Sequence, residues 1–126
     1  MPRQIIQTAS APASPLFSQG VRVGPMLYVS GMTGVDPRTK LLAGQGIQAQ
    51  TRQALSNCEE VLRAAGGTRN DVVDVQVLLL HPADFAGMNE AYAAFFDTHP
   101  PARSVAKLGV DVPGVLVSIR MTASTG

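Results

Sequence analysis

Histidine, cysteine and clustered acids are scarce in this sequence, and that scarcity removes most conventional catalytic apparatus. There is one cysteine and there are two histidines. The lone Cys58 excludes an internal disulfide, and its place in a helical apolar stripe predicts a buried thiol. His81 precedes one proline and His99 precedes two, and neither has an acid at ligand spacing. No His/Cys/Asp/Glu group recurs at zinc or iron spacing, so neither a metal nor a cofactor is expected. Paired carboxylates are no better represented. Glu59 and Glu60 are expected on the solvent side of a helix, and Asp71, Asp74, Asp84 and Asp111 are scattered. Charge is equally thin: ten basic against nine acidic residues leave a net charge of +1 with no Lys/Arg cluster, which argues against nucleic acid as a partner. No apolar run approaches the ~20 residues of a membrane span, and no basic-then-apolar leader opens the chain. The expectation is a cytoplasmic protein with no membrane partner.

What is present reads as one α+β domain over residues 1–126. Gln4 to Gln7 is a short edge strand, and Val21–Val23 with Met26–Ser30 forms a hairpin around Gly24-Pro25. Gly31 to Gly46 reads as irregular, with a turn at Asp36-Pro37-Arg38-Thr39. Apolar residues then recur at three-four spacing from Ile47 to Ala65, the pattern of an amphipathic helix that Gly66-Gly67 ends. Val72 to Leu80 is the strongest strand, with Val73, Val75, Val77 and Leu79 expected on one face. A second helix starts at Pro82-Ala83-Asp84 and is expected to bury Phe85, Met88, Tyr92, Phe95 and Phe96. A strand to about Leu108 and an alternating strand from Val115 to Thr122 complete the order β-β-β-α-β-α-β-β. This predicts a two-layer sandwich, a mixed six-stranded sheet with two helices on one face. The other face carries Asp74, Gln76, Ser118 and Arg120 beside Leu78 and Leu116. A half-apolar face without helices to cover it predicts packing against copies of the same chain.

One segment carries a sharper implication. In Pro100-Pro101-Ala102-Arg103-Ser104 two prolines fix the backbone and delivers Arg103 stiffly onto the start of a strand. A guanidinium held so is pre-organised to grip a carboxylate or phosphate; the plainer reading is a surface ion pair. Small polar groups are expected to converge on it. Ser30-Gly31 ends a strand where the glycine admits a ligand close to the backbone. Asn89 stands beside the core stripe of the second helix, as a clamp on a nearby loop or as a ligand contact. Ser118 and Arg120 share the non-core face of the last strand.

Several segments in order resemble the Rid (YjgF) family of reactive-intermediate deaminases. They are Ser18-Gln19-Gly20, Val29-Ser30-Gly31, Gln53-Ala54-Leu55-Ser56-Asn57 with Ala64-Ala65-Gly66, Asp84-Phe85-Ala86 with Met88-Asn89-Glu90-Ala91-Tyr92, and Pro101-Ala102-Arg103-Ser104. The resemblance implies a chorismate-mutase-like fold, a homotrimer with an inner barrel of sheets, and clefts between subunits. It implies hydrolysis of enamines and imines such as 2-aminoacrylate to 2-keto acids and ammonia. Arg103 would hold the substrate carboxylate, backbone around Gly31 would line the cleft, and Phe17 stands in place of a cleft tyrosine.

The chain departs from that family where chemistry would occur. Counting from Arg103, the glutamate that positions the attacking water falls at Ser118, and Val105 stands where a cysteine usually follows Arg-Ser. A register shift of two brings Leu116 or Arg120 into that place, not an acid. Three readings follow: a hydrolase of C=N bonds in small carboxylates, with Arg103 as anchor and Ser118 as water ligand; a non-catalytic, carboxylate-binding or regulatory trimer; and RNA cleavage, which the near-neutral charge disfavours. Arg120 either supplies a second positive charge to the cleft or makes a contact between subunits.

Overall fold

Strand alternation sets the architecture. The computed structural model describes residues 2–126. Its elements are β1 (Gln4–Ile6), β2 (Gly20–Val23), β3 (Met26–Thr33), β4 (Val35–Asp36), β5 (Leu41–Leu42), α1 (Ile47–Ala64), β6 (Val72–Leu79), α2 (Phe85–Phe95), β7 (Ala102–Lys107) and β8 (Val117–Ser124). Six strands form one mixed sheet in the order β1-β2-β3-β8-β6-β7, and only the β6–β7 pair is parallel. Along β8 Val117, Ile119, Met121 and Ala123 are buried while Ser118, Arg120 and Thr122 face the other way. The buried set meets Leu27, Val29 and Met32 of β3 and Val75, Val77 and Leu79 of β6. Above them lie Ala54, Leu55, Cys58, Val61 and Leu62 of α1, with Met88 and Tyr92 of α2. This is the α+β two-layer arrangement expected from the sequence.

Helix α1 stops where its carbonyls find partners. Gly66, at φ +82°, donates to Arg63 O and Gly67 donates to Leu62 O, the paired bonds of a left-handed C-terminal cap. Cys58 is fully buried with its Sγ against Ile119 O, and burial pushes the thiol pKa far up.

Several local expectations need correction. A bulge in β6 between Val72 and Asp74 buries Val72 and turns Val73 out to 46% exposure, because an extra residue reverses the alternation. The final strand begins at Val117, not Val115. The segment after Ser30 is more regular than expected: β3 runs on to Thr33, and β4 and β5 form a separate two-stranded ribbon. Its turn is stapled by the Asp36 carboxylate, which accepts from the Arg38 backbone N–H at 2.9 Å. Glu59 is buried, not solvent-facing, because Arg69 grips both its oxygens at 2.7 and 3.0 Å and also donates to Phe95 O. The aromatic stripe of α2 is incomplete: Met88, Tyr92 and Phe96 are buried, Phe95 is half-buried, and Phe85 is 46% exposed.

Candidate functional site

Two clusters of candidate residues form, and within one chain they do not meet. The first surrounds Arg103. As the second residue of edge strand β7 it lies opposite Val75 in the parallel pair, on the face that the helices cover. Its guanidinium leaves the sheet beside α2, where Nη1 donates to Asn89 Oδ1 at 2.7 Å. The guanidinium carbon sits 4.7 Å from the Tyr92 ring centroid and 6.0 Å from that of Phe85. Both distances suit cation–π attraction. Asn89 and Tyr92 are three residues apart on α2, so they share a helix face and grip one side chain together. Burial pushes the Tyr92 phenol pKa up, partly offset by the Arg103 charge. Arg103 itself is exposed and has no acidic partner within ion-pair distance among the described residues. The surface ion pair allowed by the sequence is therefore not what this arginine makes.

The second cluster lies between β3 and β8. The pairing slips between Val29 and Met32, so Ser30 and Gly31 occupy an irregularity in β3. Thr33 then pairs with Ser118, and a Cβ added at Gly31 would stand 3.2 Å from Ser118 Oγ. The absent side chain leaves the serine hydroxyl uncovered. Ser30 is occupied structurally: its Oγ donates to Ser18 O at 2.5 Å and its N–H to Gln19 O at 2.9 Å. Phe17, next to Ser18, is 41% exposed on the loop so anchored. Arg120 is exposed on the same face as Ser118, opposite Gln76 in the register.

Convergence of all these groups on Arg103, as expected from the sequence, is not what one chain contains. Arg103 aligns with buried Val75, whereas Ser118 aligns with Leu78 on the opposite face. Three residues along a strand and two strand spacings separate them by about 10 Å in each direction, through the sheet. Asn89 alone of the candidate groups reaches Arg103, and as a clamp on that side chain, not on a loop.

Three buried amides that the sequence reading passed over hold the second cluster in place. Gln19 accepts from Thr8 N–H and donates to the carbonyls of Thr8, Ala11 and Pro12, fixing the loop that carries Phe17. Gln50 donates to Gly44 O and Gly114 O and accepts from Leu116 N–H, which sets the approach to Ser118. Asn57 donates to Thr33 O and Val35 O just beyond Gly31. For Gln50 and Asn57 a polar side chain on the apolar face of α1 is the available signal, whereas Gln19 lies in the loop before β2 and carries none.

A surface depression of about 820 Å³ is an open bowl in the loop bearing Phe17 and Ser18, and Arg103 does not line it. A groove of about 440 Å³ runs along β7 between Phe85, Val105 and Lys107. No group of three or more potential metal ligands occurs among the described residues. No helix among them is long and apolar enough to cross a membrane.

Fold and clusters together define a small α+β protein with one positioned cation on the helix-covered face and a serine beside a strand irregularity on the other. The chain belongs to the Rid family: the family model described as "Endoribonuclease L-PSP" matches residues 8–125. It is 38% identical to the 2-iminobutanoate/2-iminopropanoate deaminase of Mus musculus over 125 residues, covering 98% of this chain and 93% of that protein. It is 41% identical over 123 residues to a RutC family protein of Saccharolobus solfataricus, covering 96% of this chain and 97% of that protein. Among solved structures, E. coli TdcF with bound serine superposes with a TM-score of 0.92 at 32% identity, covering 98% of this chain and 99% of that one. RidA from an Antarctic Psychrobacter gives 0.90 at 38% identity, covering 96% and 98%.

Proposed function

We propose that this protein hydrolyses enamines or imines of small carboxylic acids to 2-keto acids and ammonia, in clefts between the subunits of a homotrimer. The observation that carries the reading is Arg103, exposed, without an acidic partner, and held by Asn89 and Tyr92. Such a guanidinium offers its remaining N–H donors to a carboxylate. Membership of a family whose relatives include named imine deaminases supports the chemistry. The uncovered sheet face, with Tyr28 41% exposed, supports assembly, because a half-apolar face is stabilised by a second copy. Assembly would also bring one chain's Arg103 to another's Gly31 and Ser118, which the sheet keeps apart within a chain.

In this mechanism Arg103 binds the substrate carboxylate and fixes the imine carbon relative to a water held by Ser118 Oγ. Water adds to that carbon and one of its protons passes to the nitrogen; the hydroxyl proton of the carbinolamine follows as the C–N bond breaks, the carbonyl forms and ammonia leaves. Phe17 and the Gly31 backbone line the cleft. Serine orients the water but takes up no proton at neutral pH, and losing a positioned acid–base group costs ~10²–10⁴ in rate. Positioning still contributes, so turnover is slow but Arg103-dependent. A second reading, a carboxylate-binding trimer without turnover, is favoured by the lack of any acid on β8. In either reading Arg120 supplies a second positive charge or a contact between subunits.

The test is hydrolysis of 2-aminoacrylate and 2-iminobutyrate, generated in situ by a serine/threonine dehydratase. The wild type accelerates ammonia release over the uncatalysed rate and Arg103→Ala does not. Equal rates with and without the wild type, together with tight binding of 2-oxobutyrate, would favour the second reading.

A further inference from the structure

Arg103 is held by an acceptor that carries no charge, and the position offers a charged alternative of the same shape. Arginine has only donors, so the Asn89 amide must turn its oxygen toward Nη1, as the 2.7 Å contact has it. An aspartate there would make a shorter, stronger bond and neutralise the guanidinium. The other groups in contact with the guanidinium are also uncharged: the Tyr92 ring at 4.7 Å, the Phe85 ring at 6.0 Å and the Met88 Sδ at 4.0 Å. The Asp74 carboxylate is near enough for its charge to be felt at Tyr92 but makes no ion pair with Arg103. Other arginines are held differently. Arg38 and Arg63 take carboxylate partners, and Arg69 takes the buried Glu59. Arg22 also has neutral acceptors, but they are the Gly24 and Ala65 carbonyls and the Thr125 hydroxyl, without an aromatic face or an amide side chain.

We propose that Asn89 is a positioning residue that orients Arg103 while leaving its full positive charge for an anionic ligand. The inference rests on the reading of Arg103 as a carboxylate anchor and deepens it: ligand selectivity is set by the neutrality of the cradle. Asn89 fixes one edge of the guanidinium, the Tyr92 ring fixes its plane, and the remaining N–H groups stay available to a planar carboxylate. The pair therefore discriminates by charge, accepting 2-oxo acids and rejecting their neutral amides.

The proposal predicts an order that a purely structural role would reverse. If Asn89 only held structure, Asn89→Asp, isosteric and able to keep the bond, would bind ligand better than Asn89→Ala. If Asn89 keeps the charge available, Asn89→Asp is the worse binder, because it cancels the charge that the alanine leaves intact. The measurement is calorimetric titration of 2-oxobutyrate and 2-oxobutanamide into wild type, Asn89→Ala, Asn89→Asp and Arg103→Ala, with thermal unfolding of each. For 2-oxobutyrate we expect Asn89→Ala to lose about threefold and Asn89→Asp at least about tenfold in affinity, although Asn89→Asp unfolds no earlier than Asn89→Ala. The amide binds weakly throughout, with little difference among variants. Asn89→Asp binding 2-oxobutyrate as well as Asn89→Ala, while Arg103→Ala abolishes binding, would overturn the role of Asn89 alone. Unchanged binding by Arg103→Ala would overturn the anchor itself.

Discussion

The two halves of the candidate site are built by opposite devices. Around Arg103 the geometry comes from side chains packed on one another: half-buried Asn89, buried Tyr92 and exposed Phe85 from α2 against an arginine on an edge strand. Around Gly31 and Ser118 it comes from backbone: a slip in β3 pairing, a missing side chain, and buried amides stapling the flanking loops. Function and stability are therefore separable in the first half and coupled in the second. Substitutions of Arg103 or Asn89 change binding while the core is untouched. Substitutions beneath Ser118 move the strand and cost stability as well.

That contrast is open to direct attack. The largest effect belongs to Gln50→Ala, which removes three hydrogen bonds from a fully buried amide and strands the Gly114 carbonyl and the Leu116 N–H. Denaturant unfolding should show a loss of about 3 kcal/mol, with ligand binding weakened as the Ser118 approach loosens. Next comes Arg103→Ala, which lowers affinity for 2-oxobutyrate by about a hundredfold, as expected for losing a charge-assisted pair, while its melting temperature stays within a degree or two of wild type. A large drop in stability there would erase the distinction between the halves. Ser118→Glu should raise any imine-hydrolase rate about tenfold or more by restoring a proton acceptor at the water site. A flat rate would mean that β8 does not present Ser118 to the reacting water. The smallest effect is that of Gly31→Ala, whose Cβ would crowd Ser118 Oγ at 3.2 Å. A few-fold loss of turnover with a stability change under about 1 kcal/mol is expected, since that neighbour is a rotatable hydroxyl.

The layers and the element order were legible because burial imposes periodicity. Val75, Val77 and Leu79, or Ile119 and Met121, announce their face by alternation alone. The β6 bulge was not legible, since Val72 and Val73 are both plausible core residues and only the pairing with β8 decides which turns in. Glu59 was misplaced because helical position cannot reveal a partner ten residues away, Arg69, that makes burying a carboxylate tolerable. Phe85 and Tyr92 fall on one apolar stripe, yet one packs in the core and the other stays half open beside Arg103. In the site, Arg103 stood out because prolines constrain it locally. The proximity of Gly31 to Ser118 and the clamps of Gln19, Gln50 and Asn57 did not, because hydrogen bonds from an amide to distant carbonyls leave no repeat in sequence. The separation of Arg103 from Ser118 by a whole sheet is a consequence of register, which composition does not encode.

The central claim is that one working site takes Arg103 from one chain and Gly31 with Ser118 from another. The direct measurement is complementation: Arg103→Ala and Gly31→Leu, each without high-affinity binding of 2-oxobutyrate alone, are unfolded together, refolded as an equimolar mixture and titrated with that acid. Random assembly in a closed ring leaves about a quarter of the sites with both halves intact, so binding should return at about that stoichiometry. A mixture as inert as its two parents would contradict the account, because Arg103 of one chain and Gly31 of another would then share no site.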